Sequence, residues 1–425
     1  MAVRETTAGA RAPRLGAWLG QATAWAERAR ASAAWHDAAG AWLAHLALVA
    51  VACALAWLSG VPQWTLVGYA HPVTPHVFAS FWLHAWDADS YARIAAHGYT
   101  LPASAAFWPL LPLLERLAAP LVGGNVALAG FVIANLCALA ALVLLRRLVA
   151  EETGDRALAR WVVIVIALSP LAFFLATGYT ESFFLLLATG ALYAMRRQRW
   201  LVAGVLVTLA TLTRAPGILL LVPLALEAYR RSGVAAIRNW QVAGAVALPI
   251  SALGGVALVL SHAYGSPAAA QHAEYAIWGR ELDWPWYGVM RNLSILLRPA
   301  QPLAALRSGF DLAVLALALA LLCALLWPRA SAVGARIPTS FVVWAGASLL
   351  LALSLTLHPI PGDSQSPYFD ALFSLPRYLL VVFPLAIPLA ARCQRSPRAR
   401  AGILAFSACL GGALTFAWAC GLLMA

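Results

Sequence analysis

The sequence predicts an all-α polytopic membrane protein, a bundle of about nine spanning helices plus one broken helical hairpin. Three observations carry this. Of the 425 residues, 62% are hydrophobic and only 11% charged, with a mean hydropathy of +0.78. Apolar runs of about twenty residues, enough to cross a hydrocarbon core, recur along the whole chain. Every basic residue is Arg, and twenty-one of the 29 fall in the alternate segments 1–41, 146–160, 196–199, 230–238, 329–336 and 392–400. Seven (Arg93, Arg116, Arg280, Arg291, Arg298, Arg307, Arg377) fall on the other side, with Arg214 at the hairpin tip. That asymmetry follows the positive-inside rule and places the N-terminus in the cytoplasm. The net charge of +12 therefore reports membrane topology, and nucleic acid is not an expected partner.

The first apolar run, 42–59, follows some forty residues that hold five arginines and no clear small-residue cleavage site. It reads as a retained span behind a cytoplasmic extension, 1–40, and not as a signal peptide. Residues 41–425 read as one transmembrane domain. Further spans fall near 120–145, 160–177, 182–195, 240–261, 309–327, 339–357, 376–391 and 401–422. A shorter pair at 201–213 and 216–226 reads as a hairpin, with Pro216 and Gly217 supplying the break and Thr213 and Arg214 satisfying freed backbone groups. A single crossing there would move Arg230, Arg231 and Arg238 outside and invert every later loop; one kinked helix is the alternative. Three substantial outer loops result, about 60–119, 262–308 and 358–375, and function is expected on that face. The six cysteines lie in or beside apolar spans without metal-ligand spacing, so no disulfide framework is expected. Absence of Lys beside abundant Ala and Arg suggests a GC-rich bacterium and hence a bacterial plasma membrane, or the endoplasmic reticulum if the source is eukaryotic.

Polar groups collect in three blocks. The first is Trp86-Asp87-Ala88-Asp89-Ser90-Tyr91, followed by Ile94, Gly98-Tyr99 and Phe107-Trp108-Pro109. Carboxylates are costly beside hydrocarbon, so two of them set among aromatic rings mark a functional site. On a helix over 81–97, Asp87 and Asp89 diverge by roughly 200°, so one acts and the other supports. Trp82, Ala85 and Trp86 would face lipid, and Asp87 as a helix N-cap is the structural alternative. His71, His76, His84 and His97 lack compact ligand spacing. The second block, Gly178-Tyr179-Thr180-Glu181-Ser182, puts Tyr179 and Glu181 at the outer surface, where Glu181 either caps the next helix or faces substrate. In the third, Thr213-Arg214-Ala215-Pro216-Gly217, a lone intramembrane Arg needs an anionic partner, a phosphate or an acid such as Glu181. Arg377 in Pro376-Arg377-Tyr378 is a similar cation, with snorkelling to headgroups as its alternative.

In order and spacing these blocks resemble the PIG-V family of mannosyltransferases, within the GT-C class of polytopic glycosyltransferases. The family's Trp-Asp-Ala, acid and aromatic, Ile-Ala and Gly-Tyr stand here as Trp86 to Tyr91, Ile94-Ala95 and Gly98-Tyr99. Its Gly-Tyr-Ser/Thr-Glu and Arg-x-x-Gly elements stand as Gly178 to Glu181 and Arg214 to Gly217. The match covers roughly 80–230 well, and the rest only by hydropathy and Pro376-Arg377-Tyr378. The resemblance implies an inverting transfer of mannose from a polyprenyl- or dolichyl-phosphate donor to a lipid or glycan acceptor on the outer or lumenal face. It implies Asp87 as the general base, with Asp89 and Glu181 orienting sugar hydroxyls. Arg214 or Arg377 would meet the leaving phosphate, and Trp86, Tyr91, Tyr99 and Tyr179 would complete the substrate site. A monophosphate leaving group requires no cofactor or metal, although Asp87-x-Asp89 has a superficial metal-binding spacing. The aromatic-rich loop 262–308 departs furthest from the family and is expected to set acceptor choice. A transporter or lipid flippase for an anionic substrate is the rival reading, disfavoured because neither the Trp86 nor the Arg214 block recurs in an inverted repeat. A non-catalytic partner subunit is the third.

Overall fold

The computed structural model describes residues 12–60, 63–64, 70–71, 82–297, 302–327, 337–360 and 370–421, with side chains from 32 onward, 63–64 and 70–71 excepted. Among these residues five helices are long and apolar enough to cross a membrane. They are the Ser32–Leu58 part of α1 (Ala12–Leu58), α4 (Val126–Thr153), α9 (Trp240–Tyr264), α12 (Pro302–Leu326) and α16 (Pro397–Ala419). Between them lie α2 (Asp87–His97), α3 (Leu110–Ala118), α5 (Arg156–Ala167), α6 (Glu181–Arg196), α7 (Trp200–Thr213) and α8 (Leu221–Ser232). Beyond α9 come α10 (Ala269–Trp278), α11 (Pro285–Leu297), α13 (Thr339–Ser354), α14 (Leu375–Leu380) and α15 (Ala386–Arg395). The protein is an integral, multi-pass helical membrane protein. The histidines at 71 and 76, much of the loops 60–119 and 358–375, and Arg298, Arg329 and Arg336 lie outside the side chains described.

Two of the expected uninterrupted spans are built from shorter pieces. The run 160–177 is α5, a break at Ser169-Pro170, and a 3₁₀ turn over Ala172–Leu175. The run 376–391 is α14, a 3₁₀ turn at Phe383–Leu385, and α15. Proline supplies no amide hydrogen and its ring meets the preceding turn, so Pro170 and Pro384 interrupt helices that hydropathy alone reads as continuous.

Ion pairs define the two ends of the bundle. At one end Arg146 Nε lies 2.9 Å from Asp37 Oδ2, Arg197 Nη2 lies 2.8 Å from Glu151 Oε2, and Gln394 Nε2 donates to Asp155 Oδ2 at 2.9 Å. These arginines belong to the segments that carry the positive charge in the sequence. The opposite end holds the 262–308 loop, pinned by an antiparallel pair, β1 (Arg280–Leu282) with β2 (Leu355–Leu357), at the exit of α13.

The hairpin is present. Arg196, at the end of α6, pairs through Nη1 with Glu227 of α8 at 3.0 Å and through Nη2 with Glu152 at 2.8 Å. Arg214, between the arms, pairs with Glu181 at the other end of α6. The chain therefore climbs along α7 to the level where α6 begins and returns along α8. Arg214 is extended (φ −156, ψ 141), and a 3₁₀ turn over Ala215–Leu220 follows. Gly217 sits so close to α7 that an added Cβ would lie 2.3 Å from both Ala210 C and Thr211 N. Thr213 Oγ1 donates to Leu209 O within its own helix at 2.7 Å, while the Arg214 side chain is drawn to Glu181 and leaves the backbone alone.

Candidate active site

The site forms where α2, the start of α6, the hairpin tip and α14 converge. Trp86 adopts φ 53, ψ −117 ahead of α2 and occupies the N-cap position without a side-chain cap. Positive φ is costly for a bulky residue, and here it turns the chain so that Asp87 is the first helical residue. Asp87 consequently caps nothing: its Oδ2 lies 2.7 Å from Arg377 Nη1 of α14. Asp89 points away, with Oδ1 3.2 Å from His84 Nδ1 and Oδ2 2.9 Å from Arg93 Nη2, an i,i+4 pair on the helix surface. The divergence expected of two helical positions is thus seen, and the two carboxylates share no atom between them.

The residues expected to face lipid do not. Ala85 is buried, and Trp82 packs edge-on against Trp418 of α16 with ring centroids 4.6 Å apart. Trp86 is half-buried against the main core, its indole nitrogen buried without a partner among the described residues. The last helix returns to cover this face, which pairwise reading of the loop could not anticipate.

Tyr179 and Glu181 are likewise fully buried and not at the surface. Tyr179 donates its hydroxyl to Ala85 O at 3.2 Å, tying the tight turn to the approach of α2. Glu181 Oε1 accepts from both Arg214 Nη1 and Arg377 Nε. Arg377 also lies over the Tyr179 ring, 4.6 Å from its centroid, and the Phe174 ring at 5.2 Å. A buried ion costs several kcal/mol of desolvation, and only mutual pairing offsets it. Asp87, Arg377, Glu181 and Arg214 form such a chain, with Glu181 as the buried keystone beneath the wall.

Above this floor opens a cavity of about 390 Å³, lined among others by Asp87, Tyr91, Phe107, Trp108, Arg214 and Arg377. Its far wall comes from the 262–308 loop and α14: Glu274, Trp278, Arg280 and Tyr378. Tyr91 meets Phe107 edge-on at 5.1 Å, and Phe107 meets Trp278 at 5.7 Å, a continuous aromatic side. Arg280 Nη1 lies 2.8 Å from Glu274 Oε2. Burial pushes the Glu274 carboxyl above its usual range, and Arg280 opposes that shift. Tyr99, expected at the substrate, instead donates to Phe107 O at 2.8 Å and accepts at its carbonyl from Tyr264, bracing the wall from behind.

Of the residues singled out by sequence, Asp87, Tyr91, Arg214 and Arg377 line the cavity, Tyr179 and Glu181 support it, and Trp86, Asp89 and Tyr99 lie off it. Glu274, Arg280 and Tyr378 had not been assigned to the site. Tyr378 adjoins Arg377, and the aromatic density around Trp278 was a signal, but Glu274 lies in α10 and Arg280 in the strand beyond Gly279, so no single periodicity relates them. Among the described residues no group of three or more His, Cys, Asp or Glu side chains converges to hold a metal ion.

The fold and the site define a polytopic membrane protein with a charged, aromatic-walled cavity at one end of its bundle. Residues 69–264 match the model of the mannosyltransferase (PIG-V) family. The matched region contains Asp87, Tyr91, Glu181 and Arg214 and ends before Arg280 and Arg377. GPI alpha-1,6-mannosyltransferase 2 of Cricetulus griseus is 34% identical over 149 residues, 32% of this chain and 29% of that protein. GPI mannosyltransferase 2 of Yarrowia lipolytica is 32% identical over 98 residues, 23% of this chain and 28% of that protein. The aligned region thus spans less than a third of these relatives' length. Among solved structures, ArnT from Cupriavidus metallidurans bound to undecaprenyl phosphate aligns with a TM-score of 0.46 at 14% identity, covering 84% of this chain and 61% of that one.

Proposed function

We propose that the protein is an inverting mannosyltransferase that moves mannose from a polyprenyl- or dolichyl-phosphate donor to a hydroxyl of a lipid or glycan acceptor. The observation that carries this reading is Asp87: an acid of the family-matched segment, on the cavity wall, held 2.7 Å from a guanidinium. The acceptor oxygen forms a bond to the anomeric carbon as the bond from that carbon to the phosphate oxygen breaks. The acceptor proton passes to Asp87, and the electron pair leaves with the phosphate. Arg377 orients the carboxylate for that transfer. The aromatic side formed by Tyr91, Phe107 and Trp278 suits the apolar face of a pyranose.

Arg214 and Arg377, expected at the leaving phosphate, are each engaged by Glu181, and their first role is to hold the floor of the site. Asp89 acts from outside the cavity, if at all, by fixing α2. Guanidinium groups in a dry cleft suffice to receive the charge of a lipid monophosphate, so no cofactor or metal is required. The asymmetry of arginines supports a cavity on the outer or lumenal face and a cytoplasmic N-terminus, and the Lys-free composition favours a bacterial plasma membrane. Transfer of radiolabelled mannose from polyprenyl-phosphate-mannose in membranes holding matched amounts of intact protein and Asp87→Asn tests the reading. Label in the acceptor fraction only with the intact protein supports it; equal transfer by both removes Asp87 as base.

A further inference from the structure

We propose that Arg280, on the 262–308 loop, is the guanidinium that binds the phosphate of the lipid-linked donor; this rests on the transferase reading above. Each of the three arginines lining the cavity has a different state. Arg214 and Arg377 converge on Glu181, and Arg377 also engages Asp87. Arg280 has one ion-pair partner among the described residues, Glu274, reached through Nη1 alone. Its Nε is buried with no hydrogen-bond acceptor among the described residues. A buried N–H with no partner is rare in native structures, and it calls for an occupant.

The surroundings suit a phosphate. The Arg280 guanidinium lies 5.3 Å from the Trp278 ring and 5.7 Å from the Tyr378 ring, whose other neighbour is Arg214 at 5.1 Å. Flat rings on the guanidinium faces leave its N–H edge as the binding surface, and a planar fork matches phosphate oxygens. The side chain is only 10% exposed, and exclusion from water strengthens the attraction. The backbone sets this position with little freedom. Gly279 has φ 66, a Cβ there would lie 2.1 Å from His358 O, and His358 N donates to Gly279 O at 2.7 Å. Immediately after it, Arg280 pairs with Leu357 in the β1–β2 ladder. As the bond to the anomeric carbon breaks, the phosphate passes from one negative charge to two, and a donor-rich cation beside it favours that change.

The test uses full-length protein in nanodiscs, with polyprenyl monophosphate as probe and phosphatidylinositol as a second arm. Arg280→Gln is expected to weaken polyprenyl-phosphate binding at least tenfold and to lower kcat by roughly 10²–10³, with Arg280→Lys intermediate. Glu274→Gln, which releases Arg280 from its one partner, is expected to tighten binding several-fold, and it decides the matter if Arg280→Gln fails to fold. Unchanged polyprenyl-phosphate affinity in folded Arg280→Gln, or in Glu274→Gln, overturns the assignment while leaving the transferase reading intact. Loss confined to phosphatidylinositol places Arg280 at an acceptor phosphate and overturns it equally. No binding of polyprenyl phosphate by the intact protein removes both readings together.

Discussion

Arg377 Nη1 lies 2.7 Å from Asp87 Oδ2, joining the last third of the chain to the first loop. The contact crosses from α14 to the start of α2 and fixes the carboxylate at the cavity wall, whereas Asp89, two residues on, is held by His84 and Arg93. Asp87→Asn is therefore expected to lower turnover by about 10²–10⁴, the usual contribution of a general base. Asp89→Asn is expected to retain activity within a few-fold. Initial rates of mannose transfer at matched expression measure both.

Glu181 is the common acceptor for two buried arginines. Glu181→Gln leaves Arg214 without its acid and Arg377 with Asp87 alone, and breaking a buried pair costs about 3–5 kcal/mol. Thermal unfolding in detergent should show a large loss, and Glu181→Gln combined with Arg214→Gln should recover part of it, because one stranded charge is removed. Additive losses in the double variant would contradict the coupling.

Glu115 of α3 is buried against Gly130 of α4, where one of its carboxylate oxygens has no hydrogen-bond partner among the described residues. Burial pushes its carboxyl from 4.5 up to about 9. The folded state then binds a proton that the unfolded chain has released, so stability falls as pH rises between about 4.5 and 9 and levels above. Glu115→Gln should flatten that dependence, read as apparent Tm against pH, without loss of stability near neutrality. An unchanged slope would assign the dependence to other groups.

The hairpin returns the chain to the end of the bundle from which it left, Arg196 meeting Glu227 there. In a cysteine-free background, Gln198→Cys and Val234→Cys should react with an impermeant maleimide from the same side, and both from the side opposite Trp284→Cys. Opposite reactivity of the first two would mean that α7 and α8 together cross the bilayer once.

Much of the site was legible before the fold. Asp87, Glu181 and Arg214 announce themselves because charged groups are scarce in a chain 62% hydrophobic, and scarcity beside a membrane implies a role. The divergence of Asp87 from Asp89 follows from helical geometry, and the break at Pro216-Gly217 from proline and glycine chemistry. The far wall was not legible. Glu274 and Arg280 meet across a left-handed glycine, and Arg280 is aimed by a strand pair with residues near 357. Nothing local in Ala269 to Leu282 encodes that partner. Trp82 and Ala85 were misread for the same reason: their burial depends on α16, more than three hundred residues away.

By itself the sequence determined that this is a multi-pass helical membrane protein, which of its ends carries the arginines, and which acids and cations are too costly to be idle. Those conclusions rest on transfer free energies and helical periodicity, properties of short segments in lipid and water. Only the tertiary structure decided which charge answers which. Arg377 lies between Asp87 and Glu181, and Arg214 shares Glu181 with it. Ion pairs and cavities are set by the approach of helices distant in the chain, and that approach depends on packing across the whole bundle.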